Sequence, residues 1–330
     1  MFNKFYDKLK EIMIDYYKII ILYIIVILLI FIKLPYNILM PGDISSVNDY
    51  VLIEDEHIYE GSYNYAYVKE LRANLPFLIV SYFYNKWDIE KNDKNKIVNE
   101  NYDEILYRDK LLLKEGNNNA VILAYSKANK NYKILDNKVI VLASNCDIKI
   151  FEQILSIDDI EIKTKEDFKN YINTKEVNDE VLIRSKDDKN VYERKLKVQN
   201  VDGNKIIGVY LIDINELETN PKINIKIEDN ESGSSGSLIL ALTIYDKLID
   251  EDLTKGRKIV GTGSLDSNGN IIEIGGLKYK MLGLDDSVDI FLVPSDNYEE
   301  AMSLKNKYKI NTKIIGVSTF DEAIDVLKNS

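Results

Sequence analysis

Residues 231–249 read ESGSSGSLILALTIYDKLI, a glycine–serine loop that runs directly into an apolar stretch. The stretch is long enough for a buried helix. Just before it, Ile223, Ile225 and Ile227 alternate with polar residues, the period of a strand. The pattern is therefore strand, tight loop, helix. Glycines permit tight or left-handed backbone, and the first N–H groups of a helix have no partner within it. A serine in such a loop can present its hydroxyl beside backbone donors able to stabilise a developing oxyanion. The same loop could simply cap the helix. It could also cradle a phosphate, but the lysine that completes a P-loop is missing.

Downstream, GTGSLDSNGNIIEI (261–274) reads as two short strands around a turn at Ser267–Gly269. GGLKYKMLGL (275–284) starts a helix. VDIFLVP, YEEAMSLKNKY, TKIIGV and FDEAIDVLK then give strand, helix, strand, helix. Ser318 or Thr319 with Glu322 makes a capping pattern for the last of these. Residues 201–330 thus predict a separate α/β domain.

A serine hydroxyl needs a base before it is a useful nucleophile. The chain has one histidine, His57, and one cysteine, Cys146. A Ser-His-Asp or Cys-His site would have to recruit His57 itself. No HExxH pair and no multi-thiolate metal site can be assembled, so no metal and no cofactor are expected. No Walker A pattern occurs, which argues against ATP hydrolysis by this chain. The net charge of −11 argues against a nucleic-acid partner. Lysine is the remaining base, provided burial lowers its pKa toward neutrality. Lys278 and Lys280 are the candidates. Two positions apart, they lie about 200° apart around a helix, so only one readily faces inward.

These residues resemble the Lon-type serine–lysine peptidases. Gly233-Ser234-Ser235-Gly236-Ser237 is similar to their GPSAG nucleophile motif. Gly275-Gly276-Leu277-Lys278-Tyr279-Lys280 is similar to their GGLKEK motif, whose second lysine is the base. The two positions are 45 residues apart, close to the family interval. Gly261-Thr262-Gly263-Ser264-Leu265 and the turn after it look like the family's TGxI strand and hairpin. The resemblance implies Ser235 as nucleophile and Lys280 as general base. It implies Thr262 as the residue that orients the lysine, and the backbone N–H groups of Ser235 and Gly236 as oxyanion donors. Ser234, Gly236 and Ser237 depart from the motif's proline, alanine and second glycine. Ser232 stands where an acidic residue is usual.

Working toward the N-terminus, residues 117–200 predict a β-rich module. AVILAY, KVIVLAS, QILSIDDIEI, EVLIRS and VYERKLKV read as strands, with a turn at 187–190. One amphipathic helix lies between them, capped by Thr164, with Phe168, Tyr171 and Ile172 on one face. Gly116 and Asn117–Asn119 mark its expected start. ILSIDDIEIKTKEDFKNYI resembles the second half of a PDZ domain, which implies capture of a peptide strand. Phe151-Glu152-Gln153 replaces the usual Gly-Asp pair there. Residues 36–116 form a less legible extracytoplasmic region of strands and helix.

Residues 19–32, IIILYIIVILLIFI, are flanked by Lys18 and Lys33 with Tyr16, Tyr17 and Tyr36 nearby. With snorkelling lysines and interfacial tyrosines, 16–35 predicts a transmembrane helix after a cytoplasmic tail of 1–15. No small-residue cleavage site follows, which disfavours a removable signal peptide. Lys4, Lys8, Lys10 and Lys18 precede the span, and after Lys33 the next basic residue is Lys69. That bias predicts a cytoplasmic N-terminus with the remaining domains outside. The layout resembles the membrane-anchored, PDZ-containing Lon-like proteins of Gram-positive bacteria. The implied fold class is α+β multidomain: anchor, β-rich region, PDZ-like module and C-terminal Lon-type α/β proteolytic domain. The implied partners are polypeptide substrates and the membrane, and a homo-oligomer is compatible with the sequence. The competing readings are a catalytically retired peptide-binding adaptor and a purely structural envelope protein.

Overall fold

The computed structural model describes the chain except residues 1, 55, 57, 58, 92–99, 101 and 228–230, together with the side chains of 2–9, 11, 12 and 102. His57 lies outside the described residues. The described helices are α1 (Phe2–Phe31), α2 (Leu75–Ser81), α3 (Tyr102–Lys127), α4 (Lys165–Asn173), α5 (Ser237–Leu248), α6 (Leu277–Leu282), α7 (Tyr298–Tyr308) and α8 (Phe320–Asn329). The chain forms two compact units. One comprises Met1–Asp43, Tyr67–Lys96 and Lys278–Gly283; the other holds Ile44–Ala66, Ile97–Leu277 and Leu284–Ser330.

In the smaller unit, α1 contains a 19-residue stretch, Met13–Phe31, long and apolar enough to cross a membrane (mean hydropathy 2.4). The helix stops at Phe31, four residues before the expected limit of 35. Strand Lys33–Ser46 starts at once, and Pro35 is the cause. Proline cannot donate a helical hydrogen bond, and it biases the preceding Leu34 toward extended backbone. Within this unit Tyr36–Leu39 pairs antiparallel with Asp88–Lys91. The apolar run that begins at Leu75 folds as α2, with Asn74 capping it by accepting the Phe77 N–H at 2.9 Å.

In the larger unit, strand Lys258–Gly261 runs parallel to Ser62–Tyr65 on one side and to Ile290–Leu292 on the other. Strand Ile290–Pro294 then runs parallel to Lys313–Val317. Parallel strands need crossover connections, and α7 is the crossover between the last two. Every residue of α5 is buried. Its apolar residues pack against Val47, Val51, Tyr63, Val121, Ala124 and Phe320 in one core. Thr319 caps α8 by accepting the Glu322 N–H at 3.1 Å, while Ser318 N–H donates to the Glu322 carboxylate.

The β-rich module is a six-stranded antiparallel sheet in which five strands run in the order Val209–Asn220, Asn131–Ser144, Gln153–Ile157, Glu180–Lys186, Val191–Lys197, and the short strand Ile160–Glu161 pairs with Gln153–Ile157. Its core includes Val141, Ile154, Ile157, Phe168, Ile172 and Ile183. Thr164 caps α4 in a reciprocal box with Asp167, and Asp187 to Asn190 closes the last hairpin, as the residues predict.

Two expected boundaries meet different structure. Gly116 and the asparagines, read as a break at 116/117, lie inside α3, and AVILAY is helix rather than strand. Ala120, Val121, Ala124 and Tyr125 recur at helical spacing and bury in the α5 core, so packing overrides the turn propensity of the asparagines. At the other limit, residues 209–220 do not join the C-terminal domain. They complete the module's sheet against residues 131–144. The chain re-enters the α/β core at Ile223–Ile225, which pairs with Val51–Ile53. The module is thus an insertion between α3 and that strand.

Candidate active site

Loop 231–236 is held from three sides. Gly233 takes φ +81°, a conformation that favours glycine, and its N–H donates to the Asp109 carbonyl of α3 at 2.9 Å. The Ser234 hydroxyl is hydrogen-bonded to the Ser264 hydroxyl of the hairpin. Ser237 is buried at the first turn of α5, where its hydroxyl accepts the Leu265 N–H at 2.7 Å. Gly116 of α3 packs so closely that a Cβ on it would lie 3.0 Å from Ser234 Cβ. The supposed domain break is therefore a glycine that lets α3 approach this loop.

Ser235 itself is half-buried, two residues before the start of α5 and next to its N-cap Gly236. Its carbonyl accepts two bonds from the neighbouring strand end, one from Gly263 N–H at 2.7 Å and one from the Thr262 hydroxyl at 3.2 Å. Thr262 is fully buried, and its N–H donates to the Leu292 carbonyl at 3.0 Å. These bonds fix the backbone that carries the Ser235 side chain. The structure thus brings Ser235, Gly236 and Thr262 together.

Gly236 stands where the peptidase motif has alanine. A Cβ on it would fall 2.8 Å from Cε1 of Tyr65, too close without a shift. The Tyr65 ring occupies that space and stacks edge-on with Tyr50 at 6.4 Å. Burial, and then the nearby Glu231 carboxylate, hold the Tyr65 hydroxyl well above its ordinary pKa.

Lys280 lies on α6, in the other compact unit. It is 5% exposed, and burial lowers its pKa from the usual 10.5 to about 7. Taking a charge out of water disfavours the ammonium, so the amine becomes easier to deprotonate. Lys278, two residues earlier, is partly exposed, and its ammonium pairs with the Asp88 carboxylate. Tyr279 OH donates to the same carboxylate at 2.5 Å. The helical spacing thus separates the two lysines as the sequence predicts, one inward and one ion-paired. Asp88, which holds α6 at two positions, carries no sequence signal: it is 190 residues from Lys278. Tyr65 is equally remote from the loop it covers.

In the module, Phe151 takes φ +70° at the position where a Gly-Asp pair was the expected pattern. A non-glycine residue there costs about 1–2 kcal/mol. Its ring meets Tyr107 of α3 edge-on at 4.7 Å. Glu152 is buried and satisfied by both terminal nitrogens of Arg194 and by the Ser185 hydroxyl.

The chain thus runs from strand Ile223–Ile225 through the serine-bearing loop into α5, and then through a hairpin to the lysine-bearing α6. Residues 228–329 match the family model described as the Lon protease (S16) C-terminal proteolytic domain, so this part of the chain is a Lon-type peptidase domain. Among solved structures, the chain is similar to the PDZ domain of the SdrC-like protein from Listeria monocytogenes. The identity is 26% and the TM-score 0.23, over 24% of this chain and 92% of that one. The PDZ domain of the SdrC-like protein from Listeria innocua matches at 27% identity and TM-score 0.21, over 22% of this chain and 92% of that one. Among curated proteins, none matches.

Proposed function

We propose that this protein is a membrane-anchored, ATP-independent serine endopeptidase with Ser235 as nucleophile and Lys280 as general base. The observation that carries the reading is the buried Lys280 amine, whose pKa of about 7 leaves a substantial neutral fraction near physiological pH. A surface lysine, charged at that pH, could not take a proton. In the proposed reaction, neutral Lys280 accepts the Ser235 hydroxyl proton as the oxygen attacks a peptide carbonyl. The resulting ammonium protonates the leaving amine, and water then hydrolyses the acyl-enzyme. Backbone N–H groups of Ser235 and Gly236 receive the oxyanion. Thr262, whose hydroxyl donates to the Ser235 carbonyl, holds Lys280 in line with the nucleophile.

Residues 13–31 anchor the chain in this reading, with the N-terminus cytoplasmic and the folded units outside. The inserted module, 131–220, presents extended polypeptides as a PDZ-like unit. Substrates are unfolded or extended extracytoplasmic segments, because the chain has no Walker A motif with which to drive unfolding.

The test is cleavage of an unstructured protein by the full chain. Ser235→Ala and Lys280→Ala each abolish it, and Lys278→Ala retains it to within several-fold. A serine-directed covalent inhibitor modifies Ser235 in the wild type. Wild-type turnover in Ser235→Ala, or no labelling together with no turnover in the wild type, rejects the peptidase and leaves a peptide-binding adaptor.

A further inference from the structure

α2 is inside out. Its one buried residue is Ser81, whose hydroxyl donates back to the Leu78 carbonyl at 2.8 Å, and its cap Asn74 is buried as well. The apolar residues Phe77, Ile79 and Val80 face outward. The segment that follows is more exposed still, with Tyr82 at 85% and Phe83 at 78%. Tyr84 stacks on Trp87 with ring centroids 4.6 Å apart. Within one short stretch, polar groups are inside and large apolar rings outside. In water this arrangement is unfavourable, because each exposed ring forgoes the gain from burial.

The position of the stretch identifies what covers it. The Asn74 side-chain amide donates to the Ile30 carbonyl at 3.0 Å, one residue from the end of α1. The same Asn74 caps α2. One residue therefore fixes the start of α2 to the last turn of the apolar helix. If α1 spans a bilayer, α2 begins where the hydrocarbon gives way to headgroups. Tyrosine and tryptophan favour that zone, where a ring is buried while a hydroxyl or N–H stays wet.

We infer that residues 75–87 are a second membrane contact, an aromatic collar seated in the headgroup region of the leaflet on the folded side. This rests on the reading of α1 as a membrane anchor and adds to it. The collar restrains the unit that carries α6 at the bilayer surface, rather than leaving it on a free tether.

The chain contains a single tryptophan, so Trp87 reports directly. The full chain is placed in phosphatidylcholine–phosphatidylglycerol vesicles containing lipids brominated either near the headgroup or near the chain ends. The expected result is loss of Trp87 emission with the shallow bromines and much less with the deep ones. The double variant Tyr82→Ser/Phe83→Ser, at two exposed positions, keeps the fold and loses most of that quenching. Protein that floats with the vesicles while Trp87 emission is untouched by either lipid overturns the collar and leaves the anchor standing. Quenching unchanged by the double variant also overturns it, since the depth is then set by α1 alone. Protein that does not float with the vesicles at all overturns anchor and collar together.

Discussion

Lys280 pays for its usefulness in stability: the burial that frees its amine also makes its charged form unwelcome. In the folded chain its pKa is about 7, against 10.5 for an ordinary lysine. If its neutral form is the base, kcat/KM rises about tenfold per pH unit below about 7 and levels off above it. Lys280→Arg, whose guanidinium stays protonated, removes turnover at every pH. A profile flat through neutrality would exclude Lys280 as the base. The stability consequence has the same origin. Between about 7 and 10.5 the unfolded chain holds a proton that the folded chain lacks, so stability rises with pH across that window. Below about 7 both states are charged and the folded state carries the full penalty. Lys280→Met should therefore stabilise the protein by a few kcal/mol near about pH 6, and by much less near about pH 10. Urea titrations at both pH values measure the difference.

At the scale of elements, the serine loop is shaped by neighbours that approach it from distant parts of the chain. Gly236 has no room for a methyl group because of Tyr65. Gly236→Ala should cost about 1–3 kcal/mol of stability, with a fall in turnover as the loop shifts. Tyr65→Leu in the same background should restore part of both, because the smaller side chain vacates the space. Thermal melts and peptidase rates of the two single variants and the double variant check this, and additive losses would exclude the steric coupling. The cap of α8 gives a simpler case. Thr319→Ala removes the bond to the Glu322 N–H and should lower stability by about 1 kcal/mol, read as a lower Tm.

For the molecule as a whole, the peptidase core is assembled from three stretches of chain, of which the last follows the inserted sheet. Residues 223–330 supply most of it, while the strand from Ser62 and the inner face of α3 complete it. A fragment of residues 201–330 would expose the α5 face that meets Ala120, Val121 and Ala124. It should be a loosely packed or aggregating species without dispersed NMR resonances, whereas residues 33–330, which keep strand Lys33–Ser46, should give a native spectrum. A well-folded 201–330 fragment would show that the earlier segments are dispensable.

Local signals made several features legible. The 3.6-residue period and caps of α4 and α8, the apolar α1 and α5, the Asp187–Asn190 turn, and the opposite facing of Lys278 and Lys280 all depend on residues within a few positions of each other. Their physics is that of backbone capping, burial period and turn geometry, which neighbouring residues decide between themselves. Tertiary structure alone decided the rest. The path of α3 through Gly116–Asn119, the insertion limits at 131 and 220, the Tyr65 ring over Gly236 and the Asp88 hold on α6 are contacts between residues far apart in sequence. Such pairings depend on which surfaces pack best once the chain has collapsed, and packing energy there outweighs the local preference of any one residue.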